Sequence, residues 1–350
     1  MNKIMLPATC LLFLCLACGT KEAPTQLPEW SLTAPSAGRW SVVQGQIRRP
    51  NGSVWQGVGT NLTNLMGRDG SFIRQRVKRE ADMGFSFIRL WTPNHNSQGP
   101  TDMHARAKQV VQIMDEIASH NMQTMLVLWD TYKDLWGTEH AYHRDPSWFQ
   151  DGFRQDFLTW VKVLIPYVKD HPSLFMYQFI NEASCREKCA QDYLNLYAET
   201  SQLIRSHDDK HLMSPGGLSL AHAIEGGSFS GNRDDFVEAM KQTDDQIVWT
   251  NSIYNHQSPN KEDLAIIQKK LAVIVTEYGL CAGANPEAYD PLTAFRDQKW
   301  GAKAMFDRWQ VSGIAAWEAD ESDCGYANKK HGKFNLQAEW RQLTKSVNRR

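Results

Sequence analysis

The chain has 350 residues, 42% hydrophobic and 22% charged, which is ordinary globular composition and long enough to bury a full core. Its formal net charge of −1 gives no electrostatic footing for nucleic acid or for an anionic membrane surface. The unusual count is 13 tryptophans, since a buried indole N–H needs a partner.

The N-terminus reads as a secretory signal: Lys3 supplies a positive start, and Ile4 to Ala17 is an apolar stretch too short to span a membrane. Ala17-Cys18 is similar to a bacterial lipoprotein cleavage site, although Cys15 stands where Leu is usual. Cys18 is therefore the expected lipidated first residue of an exported chain anchored to a bacterial membrane. Residues 19–38, rich in Pro, Thr, Ser and Ala, read as a flexible tether, and residues 39–350 as one domain.

Within that domain, Trp40 to Trp55 reads as a β-hairpin turning at Asn51-Gly52. Strands are then expected at Val54–Asn61, Phe85–Trp91, Gln123–Asp130, Leu174–Glu182, His211–Gly216, Ile247–Tyr254, Leu271–Gly279 and Gly313–Asp320. Helical periodicity fills the gaps at Arg74–Met83, Asp102–His120, Phe153–Lys169, Ala190–His207, Asp234–Lys241, Lys261–Gln268 and Ala288–Gln310. Runs such as Leu126-Val127-Leu128 and Val273-Ile274-Val275 suit strands covered on both faces. Eight such units predict an α/β fold, a single (β/α)8 TIM barrel with a short N-terminal hairpin. A doubly wound sheet is the rival, but no glycine-rich phosphate loop follows the first strand.

Barrels of this kind carry function at the C-terminal ends of their strands. Those ends read Asn61, Arg89 with Trp91, Trp129 with Asp130, Asn181-Glu182, Tyr254 with His256, Glu277, and Trp317. Polar and aromatic groups there close apolar runs, where a core has use for neither. Two of them are glutamates, the chemistry needed to cleave a glycosidic bond with one acid and one nucleophile or base.

These motifs resemble glycoside hydrolase family 5, in the clan of retaining (β/α)8 glycosidases. The resemblance runs from about Trp40 onward and rests on Phe179-Ile180-Asn181-Glu182, Thr276-Glu277-Tyr278-Gly279, Phe87-Ile88-Arg89-Leu90-Trp91 and Ala315-Ala316-Trp317. It implies Glu182 as acid/base and Glu277 as nucleophile. Arg89, Trp91, Trp129, Asp130, Asn181, Tyr254, His256 and Trp317 are implied around the substrate. Two strand ends depart from the family pattern: Ser252-Ile253-Tyr254 lacks the usual His before Tyr, with His256 a substitute two residues on, and the third strand ends Trp129-Asp130.

The implied activity is retaining, endo-acting hydrolysis of a β-linked polysaccharide of mannan or glucan type. Cys185, close after Asn181-Glu182, weakly favours the mannanase branch. Exo-acting cleavage, transglycosylation by the same residues, and glycan binding without catalysis are the alternatives. The expected partner is a poly- or oligosaccharide, with no nucleic acid, no cofactor or metal, membrane contact only through the lipid, and a monomeric chain.

After signal removal and lipidation, Cys185, Cys189, Cys281 and Cys324 remain, an even set in an oxidising compartment. Three pairings are possible. Adjacent seventh and eighth loops favour Cys281–Cys324, which leaves Cys185–Cys189. A zinc site is the alternative, but no His pair at ligand spacing joins these cysteines.

Overall fold

Alternation along β3 (Gly57–Leu62) and β4 (Phe87–Trp91) sets the plan of the molecule. A Cβ on Gly59 would lie 2.7 Å from the Phe87 ring, so glycine is what lets that ring fill the barrel interior. Two residues further along each strand, Asn61 and Arg89 face the same interior one layer higher. The lower layer is apolar, built from Trp55, Phe87, Met125, Phe175, Leu212, Val248 and Ile274. The upper layer is polar.

The computed structural model describes residues 38–92, 101–130, 149, 153–182, 190–216, 232–254, 261–281, 290–318, 324–327 and 336–348. The remaining strands of the sheet are β5 (Gln123–Val127), β6 (Leu174–Gln178), β7 (Leu212–Ser214), β8 (Val248–Tyr254), β9 (Ala272–Gly279) and β10 (Gly313–Ala316). All pair in parallel in the order β7-β6-β5-β4-β3-β10-β9-β8. A parallel bridge between Met213 and Ile247 joins the two outermost strands, so the sheet nearly closes on itself. The expected TIM barrel is observed, and the doubly wound alternative is not.

Helices follow the strands: α1 (Gly70–Asp82), α2 (Met103–Ser119), α3 (Phe153–Val168), α4 (Ala190–Arg205), α5 (Arg233–Thr243) and α6 (Lys261–Gln268). Asp69, Asp102 and Asn232 cap α1, α2 and α5 by accepting from free backbone N–H groups of the first turn. The single helix expected over Ala288–Gln310 is instead two, α7 (Pro291–Arg296) and α8 (Ala302–Asp307). Asp297 accepts from the backbone N–H groups of Lys299 and Trp300 at 2.8 and 2.6 Å, turning the chain out of the helix. A last helix, α9 (Leu336–Val347), was not foreseen; Trp340 packs against Phe85, Tyr278 and Phe295.

The N-terminal hairpin pairs β1 (Ser41–Val43) with β2 (Gln46–Arg48), and it turns at Gln44-Gly45 rather than at Asn51-Gly52. Both turn residues have left-handed backbones, φ 52° and 73°, the geometry that matches strand twist in a two-residue loop. Asn51-Gly52 forms a second turn that returns the chain to pair Arg48 with Val54. Ile47 and Trp40 are buried against the apolar lower layer, and the Trp40 N–H donates to the Lys210 carbonyl at 2.9 Å. The hairpin thus seals the end of the barrel opposite the C-terminal strand ends.

Candidate active site

A β-bulge aims the first glutamate. Ile274 belongs to the apolar interior layer and Glu277 to the polar one, yet they are three residues apart, an odd step that a regular strand would send to opposite faces. The pairing with β8 runs Val275 with Asn251 and then Glu277 with Ser252, so Thr276 is an extra residue. The pairing with β10 shifts over the same span. The inserted residue turns the carboxylate inward.

Arg89 lies at the centre of what surrounds it. Its Nη1 donates to Glu277 Oε1 at 2.7 Å and to Asn61 Oδ1 at 2.8 Å. Nε donates to Gln178 Oε1 at 2.7 Å, and Nη2 to Asn181 Oδ1 at 2.6 Å. These five residues are at most 2% exposed, so each bond forms in a low-dielectric interior where it is hard to replace by water. Asn61 also accepts from the Trp91 indole at 3.1 Å and donates to the carbonyls of Thr276 and Ala316 at 2.8 and 3.0 Å.

Glu277 has a second donor, the Tyr254 hydroxyl, 2.6 Å from Oε2. Burial and then the negative charge of Glu277 push the Tyr254 phenol well above its usual range, so it stays a proton donor. Burial, followed by the negative charge of Glu182, raises Glu277 to about 7; Arg89 and the Tyr254 hydrogen bond pull it down. A Cβ on Gly279 would lie 2.3 Å from the Tyr254 ring, so this glycine provides the space in which the ring lies.

Glu182 stands beyond the end of β6, not within it. The Asn181 N–H donates to the Trp129 carbonyl at 2.9 Å, and Asn181 forms a parallel bridge with Asp130. Asn181 Nδ2 donates to Asp130 Oδ1 at 3.1 Å. The next residue, Glu182, is half-buried and takes φ 46°. A left-handed backbone costs a non-glycine residue about 1–2 kcal/mol, and such strain concentrates at functional positions. The turn is supported from below by Gly216 (φ +77°), where a Cβ would sit 1.6 Å from the Ile180 carbonyl oxygen.

The structure therefore brings together Glu182, Glu277, Arg89, Asn181 and Tyr254. Trp317 lies over the same end, with its ring 6.1 Å from Trp91 and 6.0 Å from Tyr254, edge to face in both cases. Trp91 is buried, its ring 4.7 Å from the Arg89 guanidinium. Asp130 is buried beside Asn181, whereas the Trp129 ring packs on Phe157 of α3, in the layer between sheet and helices. Cys281 and Cys324 form a disulfide joining the loops after β9 and β10. His256, Cys18, Cys185 and Cys189 lie outside the described residues.

Two groups escaped the sequence reading. Gln178 was hidden inside an expected strand; its signal is an amide closing the apolar run Leu174-Phe175-Met176-Tyr177. Glu318, directly after Trp317, is buried and accepts from the Thr63 N–H at 2.9 Å and from the Thr63 hydroxyl, tying the end of β10 to that of β3. Among the described residues no group of three His, Cys, Asp or Glu is placed to hold a metal ion, and no helix is long and apolar enough to cross a membrane.

No family model and no curated protein matches this chain. Solved structures do. An endo-1,4-β-mannanase from Rhizomucor miehei superposes with a TM-score of 0.66 at 16% identity, over 89% of this chain and 100% of that one. The hyperthermostable endo-1,4-β-D-mannanase of Thermotoga petrophila RKU-1 gives 0.64 at 14% identity, over 83% and 100%. This chain has the fold of those enzymes. A β-glucanase from Saccharophagus degradans shares it too, with a TM-score of 0.59 at 12% identity, over 92% and 98%. The family 5 resemblance read from the sequence is thus matched in architecture.

Proposed function

We propose that this protein is a retaining glycoside hydrolase that cleaves within a β-linked polysaccharide of the mannan or glucan type. The observation that carries the reading is Glu277, held by Arg89 and Tyr254 and in electrostatic contact with Glu182 at the open ends of the barrel strands. Fold neighbours that are endo-mannanases and glucanases support the substrate class.

In this reading Glu277 is the nucleophile and Glu182 the acid that serves the departing oxygen. Both donors to Glu277, the Arg89 guanidinium and the Tyr254 hydroxyl, favour its ionised form. Glu277 attacks the anomeric carbon, the glycosidic C–O bond breaks, and Glu182 gives its proton to the departing oxygen. A water then attacks the glycosyl-enzyme ester from the vacated side. Glu182 takes its proton, and Glu277 leaves as carboxylate. Trp317 offers an apolar ring beside this carbon. Reaction by this route requires a carboxyl separation of about 5–5.5 Å, as retaining enzymes have.

The test is a panel of mannans, glucans and xyloglucan, with products followed by chromatography and the new anomeric centre by NMR. Retained configuration is expected, with hydrolysis lost in Glu277→Gln and Glu182→Gln. Full activity in both variants would sink the assignment. We further propose, from the sequence alone, that the chain is exported and held to a bacterial membrane through lipid on Cys18. Fatty-acid labelling that disappears in Cys18→Ala is the expected result; equal labelling of both forms overturns it.

A further inference from the structure

Arg89 meets four side-chain oxygens, and three of them belong to neutral amides: Gln178, Asn61 and Asn181. Among the described residues, Glu277 is the one carboxylate bonded to the guanidinium. A carboxylate makes a stronger, charge-assisted bond to a guanidinium than an amide oxygen does. The amide at Nε is therefore a choice with an electrostatic consequence. Gln178 also touches the other glutamate's turn: its Nε2 donates to the Ile180 carbonyl at 3.3 Å, two residues before Glu182.

We propose that Gln178 is a positioning residue that keeps the Arg89 charge undivided for Glu277, while its other end steadies the turn that carries Glu182. The inference rests on the reading of Glu277 as nucleophile for its catalytic meaning, although its geometry stands without it. A glutamate at 178 would fit the same bond to Nε, but it would place a second negative charge on Arg89. Arg89 would then stabilise ionised Glu277 less, and the new charge would itself oppose ionisation. Both effects raise the pH at which Glu277 loses its proton.

Among the described residues, three charged or titratable groups act on Glu277. They are Arg89 from β4, Tyr254 from β8 and Glu182 beyond β6. Asp130, beyond β5, is bonded to Asn181, whose oxygen faces Arg89. Glu318, beyond β10, is bonded to Thr63. Of these, Arg89 is the group that Gln178 bonds directly.

The experiment is a carbon-13 NMR titration of protein labelled at the glutamate side-chain carboxyls, with the Glu277 signal assigned by its loss in Glu277→Gln. In Gln178→Glu the Glu277 midpoint is expected to rise by about one pH unit. In Gln178→Met, which removes both hydrogen bonds but adds no charge, the midpoint is expected not to rise. An unchanged midpoint in Gln178→Glu overturns the proposal, as does an equal rise in the Met variant, which would mark a purely structural role. If Gln178→Glu does not fold, Asn181→Asp puts the second carboxylate on Nη2 and must give the same rise; no rise overturns the proposal. The titration needs no substrate. A wild-type protein that cleaves no glycan would therefore overturn the hydrolase reading, while the shift still decides the role of Gln178.

Discussion

Asn61 Nδ2 donates to the carbonyl of Thr276 at 2.8 Å, and Thr276 is the residue inserted by the β9 bulge. A bulge leaves its extra residue out of the regular ladder. Asn61 reaches across β10 to satisfy that carbonyl and also accepts from Arg89 and Trp91. The residue that stabilises the bulge is thus the one that orients the clamp on Glu277.

Asn61→Ala is expected to cost about 2–4 kcal/mol of stability, because it strips partners from several buried polar groups at once. Chemical denaturation measures this. Catalysis should suffer mainly in kcat, since Asn61 acts on the carboxylate through Arg89; a change confined to KM would contradict that role.

Glu182→Gln removes a negative charge that raises Glu277. The folded-state value is raised, so the proton binds more tightly here than in the unfolded chain. The contribution to stability is full at low pH and is lost as pH rises through about 7. In the Gln variant that loss between pH 5 and 8 should shrink, as read from melting temperatures. On an activated aryl glycoside, whose leaving group needs no proton, the acidic limb of kcat/KM should move to lower pH. A limb that stays in place would mean that Glu182 does not influence Glu277.

Tyr254→Phe acts in the opposite direction. It removes a hydrogen bond that favours ionised Glu277, so the acidic limb should move to higher pH, with kcat/KM down about tenfold at neutral pH. A pH–rate profile with the ring retained separates this from a packing effect.

Gly216→Ala should disrupt the turn at Glu182 without touching either carboxylate. The new Cβ would meet the Ile180 carbonyl oxygen at 1.6 Å and would sit on a backbone at φ +77°. Stability should fall by about 2–4 kcal/mol, as for other strained core substitutions, with activity falling further than stability explains. Crystallography of the variant would show a displaced Asn181-Glu182 turn. An unmoved turn would refute the mechanism.

Reduction of Cys281–Cys324, or Cys324→Ser, opens a loop spanning 43 residues. Chain-entropy arguments put the loss at about 4 kcal/mol. Cys324 also lies against Gly279, whose Cα borders the Tyr254 ring. Melting with and without reductant should show the loss, and wild-type stability after reduction would exclude it.

Much of this architecture was legible because buried parallel strands are long apolar runs, and because polar residues that end such runs stand out. Glu182, Glu277, Arg89, Asn181 and Tyr254 were all visible in that way. Gln178 was not, since it lies within the stretch read as strand and only the contact with Arg89 gives it meaning. The bulge at Thr276 was hidden because an inserted residue leaves no compositional mark. The hairpin turn was misplaced because Asn-Gly is the stronger local signal, yet the paired strands flank Gln44-Gly45 and Asn51-Gly52 serves the next reversal. Trp129 looked like its neighbours at other strand ends, but side-chain direction alternates, and its ring faces the helical layer.

The seal formed by the hairpin also fixes a direction for handling the molecule. Trp40 bonds to Lys210 at the apolar end of the barrel, so the first described residues lie on the side away from both glutamates. A bead or surface coupled at position 38 attaches at that far side. Immobilised in that way, the protein keeps the end that carries both glutamates turned to the medium, and tension on the linkage is borne by the hairpin before it reaches Arg89 or the turn at Glu182.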